Sequence, residues 1–273
     1  MAGKAPNSRR NLDIAIERVF GRSDDPLRVR TLMANTIIGQ LLPNGAVKGG
    51  SSLKLRYGDK ATRFTRDLDT ARAEELDGFI RGLEASLAIG WNGFTGKVIR
   101  LEPARPRDVP GEYVMKPYAV KLSYNGKSWL TVPLEIGHDE IGDTAAPDFF
   151  ISPDVIATFE QLGLPAPKPV PLVPIPHQIA QKLHAVSGAD SARAHDLIDL
   201  QLILNREDVD FPKVKEACRR LFASRRLQKW PPAIVKGRDW DTLYERQLGD
   251  LDVLQTVDEA IIWANAFIDS IEG

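Results

Sequence analysis

The chain has 273 residues, 43% hydrophobic and 27% charged, with a formal net charge of -1, the balance of a soluble globular protein with material for one large core or two smaller ones. No apolar run approaches the ~20 residues that a bilayer crossing needs, which argues against a membrane protein. A single cysteine, Cys218, excludes an intrachain disulfide and a cysteine-based zinc site, and fits a reducing, cytoplasmic setting.

Residues 1–10 are polar and basic with no apolar stretch behind them, which predicts a loose tail and not a signal peptide. Residues 11–41 have helical spacing of Leu12, Ile16, Val19, Leu32, Ile37 and Leu41, with a break at residues 21–26. Pro43-Asn44-Gly45 marks a turn. Residues 46–53 predict a short strand running into a small-residue turn at Gly49-Gly50-Ser51-Ser52, and Leu68 between Asp67 and Asp69 suits a second strand. Thr70 is a candidate cap for a helix with Leu76, Phe79, Leu83 and Leu87 on one face. The middle of the chain is β-rich: residues 98–101 and 114–124 read as strands, and Asn125-Gly126 is a type I′ hairpin signal. The return strand alternates Leu130, Val132, Leu134 and Ile136 with Thr131, Pro133 and Glu135; Pro133 suggests an edge or a bulge.

Prolines recur from Pro165 to Pro176 and predict an extended connector between a β-containing half and a helical half. Helices are expected at 176–187, 191–205, 211–226 and 256–271, the last with a capping box of Thr256 and Glu259. The expected class is therefore α+β: residues 1–164 as an α/β domain with N-terminal helices, and residues 165–273 as a helical domain completing the active-site cleft.

The chemistry concentrates in the first part. On a strand, Asp67 and Asp69 point to one face, and two adjacent carboxylates repel unless a cation lies between them. Hard oxygen ligands at this spacing suit magnesium, which keeps waters and also binds phosphates. By itself Asp-x-Asp is a weak signal and in most chains is a solvated strand end. Gly49-Gly50-Ser51 upstream lets backbone N–H groups approach an anion, though such a sequence is more commonly a plain turn. Glu135, alone between apolar residues on a later strand, is a candidate third metal ligand or an exposed strand glutamate. In this order, the set matches the arrangement of polymerase-β-like nucleotidyltransferases, whose reaction needs metals, cations and positioning but no protein nucleophile.

Four stretches carry a more specific resemblance. Lys48-Gly49-Gly50-Ser51-Ser52-Leu53, Arg63-Phe64-Thr65-Arg66-Asp67-Leu68-Asp69, Ile179-Ala180-Gln181-Lys182-Leu183-His184-Ala185 and Arg193-Ala194-His195-Asp196-Leu197-Ile198-Asp199-Leu200 together resemble the AbiEii/AbiGii toxin family, which includes the mycobacterial MenT-type toxins. His195 stands where that family usually has lysine. The resemblance implies a toxin of a toxin–antitoxin or phage-defence system that transfers nucleotide from an NTP, often a pyrimidine NTP, to the 3′ end of tRNA and so blocks aminoacylation. It implies a winged-helix antitoxin as partner. Carried over by position, Asp67 and Asp69 bind magnesium, Ser51 and Lys182 hold the triphosphate, and Asp196 completes the catalytic set; the strand pattern adds Glu135 as the expected third metal ligand, and Gly50 and Arg63, within the same motifs, are counted with the nucleotide-binding residues. Two other readings stay open: nucleotide transfer onto a protein side chain, and a catalytically silent protein that binds RNA or a partner.

Lys182 is read as a lysine whose stem packs on the helix while its ammonium reaches outward. Asp196 and Asp199 share a helix face, and one of them is expected to pair with Arg193. His184 and His195 lack zinc-ligand spacing. In residues 213–229, Lys213, Lys215, Arg219, Arg220, Arg225, Arg226 and Lys229 face only Glu216. This is either a solvated helix face or a surface for RNA phosphates, with Trp230 and Trp240 nearby as stacking or core residues.

Overall fold

Ser8 ends the polar N-terminus: its hydroxyl accepts from the Asn11 N–H and caps α1 (Arg9–Phe20), whose Leu12 and Ile16 are fully buried. Tyr124 Oη donates to the Pro6 carbonyl, so the expected loose tail is in fact anchored by residue 6. The computed structural model describes residues 4–21, 25–102 and 115–273; part of the expected break at 21–26 and the first residue of the strand expected at 114–124 lie outside the described residues.

The chain divides into two units. The first comprises Met1–Asp59, Phe64–Asp139 and Thr144–Val173, and the second Lys60–Arg63, Glu140–Asp143 and Pro174–Gly273. The first therefore runs past residue 164, because the proline-rich stretch contributes a strand to its sheet.

In the first unit, Asp25 caps α2 (Pro26–Gly39), which also has the proline favoured in a first helical turn. The strands are β1 (Gly45–Lys48), β2 (Leu68–Arg72), β3 (Phe94–Arg100), β4 (Lys116–Tyr124), β5 (Lys127–His138), β6 (Asp148–Phe150) and β7 (Val170–Leu172). They form one mixed sheet in the order β3-β4-β5-β2-β1-β7-β6. β2 pairs parallel with β5 and β1 parallel with β7; the other pairs are antiparallel. Asn125 and Gly126 both have positive φ at the β4–β5 turn, as a type I′ hairpin requires. One sheet face carries Val47, Leu68, Leu134 and Ile136 into a core with Leu12, Ile16, Met33 and Ile37. It also packs against α4 (Leu76–Ile89), through Phe79, Leu83 and Leu87, and α5 (Pro153–Gln161), through Val155 and Phe159.

Two local expectations are corrected, and a third, the edge position of Pro133, is met only locally. Gly49-Gly50-Ser51-Ser52 is not a free turn but the first turn of α3 (Gly49–Tyr57), because burial of Leu53 and Leu55 overrides the low helix propensity of glycine. Thr70 caps nothing: it is buried within β2, its hydroxyl donates to the Glu135 carbonyl, and Glu75 occupies the N-cap of α4. Pro133 lies in an interior strand, yet β2 pairs with β5 only from Leu134 onward. At Pro133, β5 has a neighbour on one side alone, where a missing N–H is tolerated.

The second unit contains α6 (Ile175–Val186), α7 (His195–Leu204), α8 (Phe211–Arg225), α9 (Trp240–Leu248) and α10 (Val257–Glu272). Ile179, Leu183, Leu197, Leu221, Tyr244 and Ile268 are among its buried side chains. The Thr256–Glu259 capping box is present. Among the described residues no helix is long and apolar enough to cross a membrane.

Candidate active site

β1, β2 and β5 bring the first group of candidate residues together. Strand register sets Lys48 opposite Asp69, and Asp69 opposite Glu135. Residues paired across neighbouring strands share a face, so Lys48, Asp69 and Glu135 stand in one row, on the face away from the Val47 and Ile136 core. Asp67 is exposed at the entry to β2; Asp69 and Glu135 are half-buried. Gly49 follows β1 with φ +65, and a side chain there would put its Cβ 2.5 Å from Asp69 Oδ2. Only glycine meets both the backbone conformation and the approach of the carboxylate.

Ser51 is buried. Its hydroxyl donates to the Asp67 carbonyl at 2.6 Å and accepts from Asn35 Nδ2 at 3.1 Å. The side chain therefore ties α3 and α2 to the start of β2, and Asn35 is a supporting residue that sequence reasoning did not find. Gly50 and Ser51 lie, buried, in the first turn of α3, where the N-cap residue makes no side-chain capping hydrogen bond, at a helix end of the kind that favours anions.

Among the described residues no three His, Cys, Asp or Glu side chains already form a group fit to hold a metal ion; Asp69 and Glu135 are paired on neighbouring strands, and Asp67, expected on the strand, falls just before it. Their chemistry still fits magnesium, which takes one or two protein carboxylates and completes its shell with water and phosphate oxygens. The space kept clear by Gly49 leaves the Asp69 carboxylate beside a helix N-terminus, where an anion and a cation can be held together.

The second group lies wholly in the second unit. Lys182 Nζ is 3.0 Å from Asp196 Oδ1 and 2.6 Å from Asp199 Oδ2. Arg63 grips Asp199 with two hydrogen bonds of 2.9 Å, and Arg193 Nε donates to Asp196 Oδ2 at 2.8 Å. Lys182 is only 5% exposed, Asp196 0% and Asp199 1%, so Lys182 is not the outward-reaching lysine expected. Burial would raise the Asp196 carboxyl, but Lys182 and then Arg193 outweigh it and hold it below the ordinary range. The same contest at Asp199 is decided by Arg63 and Lys182, also downward. His195 is lowered to about 4, first by burial, so at neutral pH it does not supply the charge of the lysine usual in the resembled family.

The basic segment is mostly neutralised. Lys213 pairs with Asp210, Lys215 and Arg219 with Glu272, and Arg220 with Glu216. Arg225 grips Glu140 through two hydrogen bonds of 2.6 and 2.9 Å and also meets His184 Nδ1. Trp240 is buried, with its indole N–H on the Ser191 carbonyl, and so is a core residue with no face for stacking. Arg226, Lys229 and the half-buried Trp230 line a groove of about 730 Å³.

A family profile, "Nucleotidyl transferase AbiEii toxin, Type IV TA system", matches residues 30–263. No curated protein matches the chain. Among solved structures it is similar to MenT4, a nucleotidyltransferase toxin of Mycobacterium tuberculosis H37Rv, with a TM-score of 0.55, 15% identity, 95% of this chain and 97% of that one covered. It is also matched to JHP933 from Helicobacter pylori, with a TM-score of 0.45, 15% identity and 88% of each chain covered. At that identity the MenT4 likeness speaks for the fold, and the mixed sheet with its helices is the α+β class expected from the sequence. With the profile covering most of its length, the chain belongs to the AbiEii nucleotidyltransferase toxin family of type IV toxin–antitoxin systems.

Proposed function

We propose that this toxin transfers a nucleotidyl group from an NTP, with pyrimidine NTPs favoured, to an RNA acceptor, the 3′ end of tRNA, and so blocks translation in the cytoplasm. The observation that carries this is the register of Asp69 beside Glu135 on parallel strands, with Asp67 at the strand entry and Gly49 clearing the approach. Asp67, Asp69 and Glu135 would hold magnesium, which when bound neutralises triphosphate charge and polarises the α-phosphate. The backbone N–H groups of Gly50 and Ser51 bind phosphate oxygens. An acceptor hydroxyl bonds to the α-phosphorus, its proton passes to a carboxylate of the Asp69–Glu135 pair, the bond to the bridging oxygen breaks, and pyrophosphate leaves.

Lys182, Arg63 and Asp196 enter this proposal through the sequence resemblance. An ammonium has three donors, and Asp196 and Asp199 occupy two of those on Lys182, so one N–H remains for a phosphate oxygen. Asp196 and Arg63 then act as positioning residues, one fixing Lys182 directly and the other through Asp199. Arg226 and Lys229 are proposed as the RNA-phosphate contacts of the basic segment, because its other cations are paired. A winged-helix antitoxin is the proposed partner.

The test incubates purified protein with total RNA, magnesium and each labelled NTP. Labelled RNA that disappears on magnesium chelation is expected. Label on protein would favour the side-chain acceptor, and no incorporation with any NTP would leave a silent binding protein.

A further inference from the structure

We propose that Lys48 is a phosphate-contacting residue of this site, its ammonium held on the carboxylate face by the missing side chain of Gly137. The inference rests on the nucleotidyltransferase reading above and adds to it a cation that the family resemblance did not single out.

Lys48 is the last residue of β1 and the N-cap residue of α3. Its side chain makes no capping hydrogen bond. Instead it extends across the sheet: a Cβ built on Gly137 would lie 2.9 Å from Lys48 Nζ. Gly137 is on β5, two positions beyond Glu135 and opposite Ala71 of β2, so it belongs to the same face as Asp69 and Glu135. The lysine stem therefore spans β2, and the ammonium rests over the bare backbone of β5. Any larger residue at 137 would occupy that position.

Lys48 is half-buried, yet makes no salt bridge among the described residues. A partly desolvated ammonium near carboxylates ordinarily closes onto one of them, because leaving a desolvated charge without a partner is costly. Here it is seated on the same face as two carboxylates and bonded to neither, immediately before the uncapped first turn of α3. A fixed positive charge, a helix N-terminus and carboxylates suited to a metal are the three parts needed to receive a polyphosphate. The carboxylates favour a divalent cation, while the ammonium and the helix end favour the anion that comes with it. Lysine suits this role as a compact point charge with rotatable donors, since phosphate oxygens shift during transfer.

The experiment measures equilibrium binding of the four α,β-methylene nucleoside triphosphates, with magnesium, to the full chain and to Lys48→Met, Lys48→Arg and Gly137→Ala. Lys48→Met is expected to weaken the best-bound analogue by about tenfold or more, and Lys48→Arg to restore part of the loss. Gly137→Ala tests the seat without altering charge. Its new Cβ meets only the ends of Lys48 and Met115 closely, with the Thr70 carbonyl at an ordinary 3.5 Å, so the fold persists and the ammonium is displaced. A several-fold loss of affinity with an unchanged unfolding midpoint is expected. Wild-type affinity in Lys48→Met, or in a folded Gly137→Ala, would overturn the proposal while leaving the nucleotidyltransferase reading standing. Failure of the unsubstituted protein to bind any analogue would overturn both.

Discussion

The molecule uses aspartate in two opposite ways. On the sheet of the first unit, Asp67 and Asp69 sit exposed or half-buried at a strand entry, beside a glycine that keeps the approach to Asp69 clear. On α7 of the second unit, Asp196 and Asp199 are almost fully buried and bound by Lys182, Arg63 and Arg193. The sequence spacing hardly distinguishes them, since Asp-x-Asp on a strand and Asp-x-x-Asp on a helix each predict a shared face; in the structure Asp67 falls just before β2 and only Asp69 lies in it. What differs is burial: the α7 pair is almost wholly removed from solvent and held by three cationic side chains, whereas Asp67 is exposed and Asp69 half-buried. The largest expected effect follows from this. Lys182→Ala leaves two buried carboxylates short of a cation and should cost about 3–5 kcal/mol of stability, read as a lower urea midpoint at unchanged slope. A variant as stable as the parent would show that the cluster is not structural and that Lys182 serves ligand binding alone.

The complementary substitution sharpens the contrast. Asp67→Asn with Asp69→Asn should abolish nucleotide transfer, a loss of about 100-fold or more, while stability changes by no more than about 0.5 kcal/mol. Labelled-NTP incorporation and the urea midpoint, measured on the same preparation, check both halves. Appreciable transfer by the double variant would remove these carboxylates from the chemistry.

How far each region was legible follows from the range of the interactions that build it. The Asn125-Gly126 turn and the Thr256–Glu259 box are decided within four residues and were readable directly. α5 and α9 were missed because each offers few buried apolar residues, Val155 and Phe159 in one and Trp240 and Tyr244 in the other, too few for a clear period. Register made Asp69 and Glu135 neighbours, and the alternation around Glu135 already pointed to its face. The pairing of Arg63 with Asp199 spans 136 residues, and nothing in local pattern announces it. The seating of Lys48 over Gly137 is equally hidden, because both residues satisfy ordinary strand and turn statistics.

Acid should weaken the second unit in two stages. His184 and His195 are both lowered to about 4, with burial as the first cause, and at His184 the adjacent Arg225 adds to it. The unfolded chain, with histidine near 6.5, therefore takes up protons before the folded one, so stability is full above about pH 6.5 and falls as pH drops toward 4. For the buried His184 the loss is on the order of 2–3 kcal/mol. Asp196 and Asp199 are shifted the other way relative to charge. Their contribution is present above the unfolded carboxylate value near 4 and is lost only below it. Urea midpoints across pH 8 to 3 should show two steps, and His184→Gln should flatten the first. A single step below pH 4 would place both histidines in water.

The smallest effect comes from one helix that contains both kinds of charge. Arg225, at the end of α8, has a side chain 20% exposed against Glu140 at 5%, and it also donates to His184. Arg219, six positions earlier, is 58% exposed against Glu272 at 28%. Solvent screens the outer pair and the cost of holding two long side chains offsets its attraction, whereas the inner pair is largely buried and loses two charge-assisted hydrogen bonds when Arg225 is removed. Arg225→Ala should therefore cost about 2–3 kcal/mol, and Arg219→Ala should leave the unfolding midpoint where it was. The same pair also separates structure from RNA binding. Neither arginine is free to meet a phosphate, so Arg219→Ala should leave the salt dependence of RNA binding unchanged. Arg226→Ala with Lys229→Ala should lower its slope by roughly one for every phosphate that is no longer neutralised. If Arg219→Ala lowered the slope as much as that double variant, the exposed ion pair would open to admit phosphate, and the division between the neutralised cations of α8 and the available ones just beyond it would have to be redrawn.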